Sequence, residues 1–323
     1  MSLEVVIHIY SCYDVCLCKV CNNPFKTKCA NSGVDTIMAT VGELEASAKL
    51  YDWTMQLREC VRKEATAFDE RTLLAAEAFR ETEGEPFRIL RVAHATSHIL
   101  RNMPIRIRHG EILVGWHPNT HVDGELKEAL DEATAYLRKQ NYWVNASEEH
   151  MALDYPTILS LGLGGIKERI DEFEASLDVT EPGTPEKRAF YQAARASLEA
   201  FQNFILRYAE FARELERSAT DPDWRYELRR IAETCEHIAT EPPRTFREAI
   251  QLTWFAFLAV AIEAGTTHHC FGPGRIDQYL LPFYEADREN GVLDDAEVDT
   301  LLAQLFIKCN EFSGPSMSAV IIG

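Results

Sequence analysis

The 323-residue chain is long enough for one large domain or two ordinary ones, and its 46% hydrophobic content suits a globular core. A formal net charge of −18 without a compensating basic patch argues against nucleic-acid and anionic-membrane partners, because such a surface repels polyanions. The longest apolar run, Leu252–Ile262, is about half of the roughly 20 residues a bilayer crossing needs, so it reads as a buried helix and no membrane span is expected.

Five of the nine cysteines, Cys12, Cys16, Cys18, Cys21 and Cys29, lie at the start of the chain. Only Cys18 and Cys21 have the C-x2-C spacing of a zinc or iron–sulfur pair, and no second such pair follows. Residues 1–37 therefore read as a cysteine-rich leader, with metal binding as the lesser alternative. No basic stretch precedes an apolar one, so a secretory signal is not expected and a reducing cytoplasm is the default.

From Val41 onward apolar residues recur every three or four positions, predicting a mostly helical fold. "VGELEASAKLYDWTMQLRECVRKEA" and "PFRILRVAHATSHILRNMP" read as helices, the second stopped by Pro104. "IRIRHGEILVG" alternates polar and apolar residues about Gly110 and reads as a strand or hairpin. Gly124–Gln140 is a charged surface helix, and "YPTILSLGLGGIKERIDEFEASL" is a helix with a glycine-rich interruption. Thr184–Ser218 forms a long helix with a threonine cap, and Pro222 to about Thr240 another. "PPRTFREAIQLTWFAFLAVAIEAG" carries Thr245 and Glu248 as a capping box and is apolar nearly all round beyond Gln251, which places it at the centre of a core. Asp277 stands where it caps the helix of "IDQYLLPFYEAD". Asp294 with Glu297 repeats the capping device, and "SMSAVIIG" reads as a buried strand at which the sequence stops.

The stretch "GTTHHCFGPGRIDQY" concentrates the chemistry. Adjacent His268 and His269 point different ways on a helix or strand and do not readily share a metal. A cysteine–histidine nucleophile pair lacks a local orienting group and oxyanion hole. One packed and one solvated histidine is the plain structural reading.

Three segments in order, "PPRTFREAIQLTWF", "GPGRIDQYLLPFYEAD" and "LLAQLFIKCNE", resemble the core of the pyruvate formate-lyase family of glycyl radical enzymes. "HGEILVGW" is similar to a family strand, and "EEHMALDYPTILSLGLGGI" to a further family segment; the likeness runs from about Met38 to Gly323. It implies an α/β fold, mostly helical, forming the N-terminal half of a ten-stranded barrel, and a domain over 38–323 that is incomplete at its C-terminus. It also implies radical cleavage of a small-molecule C–C, C–O, C–N or C–S bond by the complete protein, a homodimer. The glycyl radical would be installed by an S-adenosylmethionine/iron–sulfur activating enzyme, with no cofactor bound by the chain itself.

The family's thiyl cysteine and its "R-V-x-G-Y" radical glycine have no match here, so no catalytic residue and no metal ligand is assigned, and the chain alone is expected to be inactive. Counting back from Gly274, His269 and Cys270 fall at positions that touch substrate hydroxyls in dehydratase members, where the family has serine in place of Cys270. His150 matches a second polar pocket position. A non-enzymatic helical module or partner subunit is the competing reading.

Overall fold

The computed structural model describes residues 41–63, 69–116, 122–142, 153–264, 272–309 and 311. The leader cysteines, the end of the chain after 311, and His150, His268, His269 and Cys270 lie outside the described residues. The chain divides into two compact units, residues 1–49 and 50–323. Of the first, only the start of helix α1 (Val41–Lys63) is described.

In the second unit the helices follow as α2 (Asp69–Glu81), α3 (Arg88–Asn102), α4 (Glu125–Lys139), α5 (Tyr155–Ala175), α6 (Thr184–Ser218), α7 (Pro222–Ile238), α8 (Phe246–Ala264), the short α9 (Ile276–Tyr279), α10 (Leu281–Glu289) and α11 (Asp295–Lys308). No helix among the described residues is long and apolar enough to cross a membrane. The long α6 packs on α3, α5 and α7, while α2 packs on α3 and α4. Helix α8 is the axis that α3, α5, α7, α10 and α11 contact. Its unbroken buried run from Phe246 to Leu258 is why its sequence shows no polar face.

Local signals placed most helix ends. Asp154, Asp221 and Asp294 cap α5, α7 and α11, each accepting a backbone N–H of the first turn. Helix α3 ends at Asn102, two residues before Pro104. Helix α2 is an element the periodicity does not single out. Three caps differ from the sequence reading. Thr184 is the first residue of α6 and its hydroxyl donates to Asp178 O at 2.6 Å, so Gly183 occupies the cap position without a side-chain bond. The capping box of α8 is displaced by one residue: Thr245 Oγ1 accepts from Glu248 N at 3.2 Å, but the Glu248 carboxylate accepts from Arg244 N at 2.6 Å. Asp277 does not cap α9; it forms a two-pronged pair with Arg275, at 3.0 and 2.9 Å.

The strand or hairpin expected over 105–114 is a clearer correction, because none of these residues forms a ladder. Glu111, Ile112, Leu113, Val114 and Trp116 are nonetheless buried, so their backbone groups need partners. Side chains from the helices supply them. Gln304 of α11 accepts from Ile112 N and Leu113 N at 2.9 and 3.1 Å and donates to Gly110 O at 2.9 Å. Gln251 of α8 accepts from Val114 N at 2.9 Å and donates to Val114 O at 2.7 Å, reproducing a strand's pairing with one amide. Tyr208 accepts from Trp116 N at 2.8 Å, and Trp254 and Lys308 donate to Gly115 O at 2.8 and 2.9 Å. Gly115 is required here: a Cβ would stand 2.7 Å from Trp254 Nε1. The alternating pattern therefore leads into a buried, irregular backbone over 110–116 whose partners are helix side chains.

The glycine-rich interruption of α5 is real. Gly162 adopts φ 65°, ψ 174° inside the helix, and a Cβ there would meet Pro242 N at 2.5 Å. That dihedral pair is essentially restricted to glycine. It frees Gly164 N to donate to Thr240 O at 2.7 Å, tying α5 to the turn after α7.

Two stability predictions follow from these contacts. Gly162→Ala should lower unfolding free energy by more than about 2 kcal/mol through backbone strain and contact with Pro242. Gly183→Ala, where φ is 85° but a Cβ meets open space, should lose only about 1 kcal/mol. Gln304→Leu should cost about 3 kcal/mol or more in urea denaturation, since it orphans two amides and a carbonyl at roughly 1–3 kcal/mol each before relaxation. Gln251→Leu, orphaning two groups, should cost less.

Candidate functional site

The described residues frame the segment 265–271 from both sides. Before it, α8 ends with carbonyls that have no partner within the helix. Buried Arg71 of α2 takes two of them, donating to Ile262 O and Glu263 O, both at 2.5 Å, and a third bond at 3.0 Å reaches Tyr142 Oη. A guanidinium at a helix C-terminus also meets the negative end of the helix dipole. Arg71 thus anchors the last turn from which the histidine–cysteine segment departs.

After the segment, Gly272 and Pro273 are buried. Tyr279 Oη donates to Pro273 O at 2.5 Å, closing the turn that α9 begins. Tyr279 then stacks on Tyr155 with ring centroids 5.1 Å apart and planes 21° from parallel. Tyr155 is the first residue of α5, directly after the segment that holds His150. The two sequence-predicted pocket segments are therefore joined at their described flanks by this tyrosine pair; the placements of His150, His269 and Cys270 themselves are not described.

Burial pushes both phenols far above the ordinary tyrosine range, with Cys309 and, for Tyr279, the neighbouring Tyr155 adding to the rise. Both hydroxyls remain neutral donors at any physiological pH. Tyr279 spends its proton on Pro273, whereas Tyr155 Oη is buried without a partner among the described residues. The arrangement offers an uncharged, desolvated hydrogen-bond donor beside a glycine-proline turn. That chemistry suits holding an oxygen-bearing ligand away from water. None of these residues belongs to a grouping with metal-ligand spacing among the described residues.

Sequence reasoning missed Arg71, Tyr155 and Tyr279 as functional supports. The signals were present for the tyrosines, inside "DYPT" and "DQYL". Arg71 carries no local signal, because its partners lie 191 and 192 positions away.

A second polar cluster sits where α7, α8 and α11 meet. Arg247 donates to Glu227 at 2.8 Å and Glu297 at 2.7 Å, and Arg230 reaches the same carboxylates at 3.3 and 2.7 Å. Two cations and two anions balance, so this cluster is structural. Burial pushes the Glu297 carboxyl up, but Arg247 and Arg230 outweigh it and hold the group below the usual glutamate range. A depressed folded pKa means stability that is complete above the ordinary glutamate pKa and lost as pH falls through the lower folded value. Glu297→Gln should therefore destabilise by about 3 kcal/mol at neutral pH. The gap to the parent should narrow below about pH 4 in acid-titrated thermal melts.

The described residues form a mostly helical fold around this framed segment. A model of the pyruvate formate lyase-like family matches residues 116–319, and the chain belongs to that family. It is 29% identical to the isethionate sulfite-lyase of Desulfovibrio desulfuricans over 309 residues, covering 75% of this chain and 37% of the relative. It is 28% identical to the trans-4-hydroxy-L-proline dehydratase of Clostridioides difficile, covering 82% and 40%. The glycerol-bound B12-independent glycerol dehydratase of Clostridium butyricum superposes with a TM-score of 0.71 at 26% identity, over 82% of this chain and 39% of that one. The chain thus spans about two fifths of the length of these relatives.

Proposed function

We propose that this chain supplies the substrate-holding part of a glycyl radical lyase or dehydratase that eliminates a group from a small hydroxylated molecule. The carrying observation is the joined pair of pocket flanks, Tyr155 on Tyr279, within the stretch matched to the family. Residues 38–323 form the family domain and contribute half of its barrel, with the cysteine-rich leader apart from it. The segment 105–116, buried from Gly110 onward and unladdered among the described residues, is the part most compatible with a barrel element. In this reading His269 and Cys270 bind the substrate hydroxyls from the segment between α8 and α9, and His150 adds a polar contact from the segment before α5. His269 is the natural group to protonate a departing oxygen, since imidazole titrates near neutrality. Tyr155 supplies a neutral hydrogen bond.

In this reading bond cleavage depends on a thiyl cysteine and a radical glycine, neither of which is matched in this sequence, and on an S-adenosylmethionine-dependent activating enzyme. The names of the relatives, a sulfite-lyase and dehydratases, favour C–S or C–O cleavage over acyl transfer to formate. A homodimer, a cytoplasmic location and the lack of nucleic-acid and membrane partners complete the proposal.

The test is a thermal-shift screen of the chain against glycerol, 1,2-propanediol, trans-4-hydroxy-L-proline and isethionate at millimolar concentration. One of them should raise Tm by about 2 °C or more, as expected for ligand well above its Kd. His269→Ala should abolish that shift, while Tyr155→Phe should weaken it without lowering the ligand-free Tm, because the lost hydroxyl has no partner among the described residues. Failure of all four to protect, or protection unchanged by His269→Ala, would reject this assignment.

A further inference from the structure

Helices α2 and α3 form an antiparallel hairpin, and one face of it carries two pairs of side chains in register. Glu77 and Glu81 lie one turn apart on α2, and His94 and His98 one turn apart on α3, so each pair points the same way. The pairs meet across the hairpin: His94 Nε2 stands 2.8 Å from Glu81 Oε2, and His98 Nε2 stands 3.3 Å from Glu77 Oε2. The two imidazoles are 6.3 Å apart between centroids, their planes inclined by 35°. One ligand atom each from Glu81, His94 and His98 falls within 4.8 Å of the others.

As ion pairs these contacts hold the hairpin weakly. The side chains are well exposed, 42% for His94 and 55% for Glu81, and surface pairs of this kind contribute roughly 0–1 kcal/mol. As a donor set they are more specific. Zinc takes imidazole nitrogen and carboxylate oxygen at about 2.0–2.2 Å, which sets ligand atoms roughly 3.4 Å apart in a tetrahedral site. Small rotations of exposed side chains cover the remaining distance. Two imidazoles also disfavour calcium and magnesium, which prefer all-oxygen shells.

We propose that Glu81, His94 and His98 bind a divalent transition-metal ion of the zinc class, clamping α2 to α3, with Glu77 as the neighbouring carboxylate. For its Nε2 to bind the ion, neutral His94 adopts the tautomer with the proton on Nδ1, and the metal replaces the Nε2–Glu81 hydrogen bond. The site stands apart from the pocket proposed above and does not depend on it.

The experiment is a Co2+ titration of the 323-residue chain followed by visible absorption, with Zn2+ added afterwards in competition. Thiolates of the leader cysteines are distinguished by their sulfur-to-metal charge-transfer band in the near ultraviolet. The expected result is one equivalent of Co2+ with visible bands and no such charge transfer, displaced by Zn2+. The double variant His94→Gln/His98→Gln should lose that equivalent while keeping the helical circular dichroism of the parent. Glu81→Gln should weaken binding about tenfold or more. The proposal is overturned if the parent shows no thiolate-free equivalent, if the double variant binds the same number of ions equally well, or if Glu81→Gln leaves the affinity unchanged.

Discussion

A buried backbone segment that pairs with no strand among the described residues is the constraint on which the rest of this structure depends. Residues 110–116 carry N–H and C=O groups into the core, and each would cost free energy if left without a partner. Gln251, Gln304, Tyr208, Trp254 and Lys308 meet that need from three different helices. The arrangement explains why α8 carries a glutamine at its heart, and why α11 buries Gln304 and Lys308 on a face expected to be hydrophobic. It also fixes the rotation of α6, α8 and α11 about their axes, since a turn of any one withdraws its donor or acceptor.

Charge is handled by the same logic. The chain has a large excess of acid, yet eight of its buried or half-buried charges are collected into two balanced groups, while Arg71 is spent on backbone carbonyls. Lys308 is fully buried against Glu111 and Glu311, with Arg108 closing the group through Glu311 at 3.0 Å and through the bond from its own amide to Glu111 at 2.8 Å. Arg247, Arg230, Glu227 and Glu297 form a second such group. These networks cost desolvation and return it through mutual attraction, so their net value lies more in geometry than in stability. Lys308 also donates to Gly115 O, so one of these networks orients the buried segment directly.

The pocket frame grows out of this arrangement. Helix α8, held at Val114 and Gly115 near its middle, delivers its last turn to Arg71 and hands the chain to the histidine–cysteine segment. The chain returns through Pro273 and Tyr279, and Tyr279 meets Tyr155 at the start of α5. Gly162 lets α5 break and bond to Thr240, which positions that start. Described helices thus bracket the two segments with the candidate ligand-binding residues.

Most of the helices, the Asp294 cap, the break at Gly162 and the central place of α8 were legible from residue order alone, because each depends on neighbours within a few positions. The motif order around "GPGRIDQY" also marked the family, since those residues serve a shared turn and helix start. Other features were decided by contacts across the chain. The alternation at 105–114 looked like a strand, and only the approach of Gln251 and Gln304 made it an irregular segment clasped by helices. Glu297 looked like half of a capping box, but Arg230 and Arg247 offered its carboxylate a stronger partner than a backbone amide. Thr184 and Asp277 were drawn from their caps by Asp178 O and Arg275. Arg71 became the anchor of α8 through partners nearly two hundred residues away. Local sequence specifies backbone conformation through dihedral preference and nearby hydrogen bonds, whereas the destination of a long polar side chain is chosen by whichever buried charge or orphaned backbone group folding brings within reach.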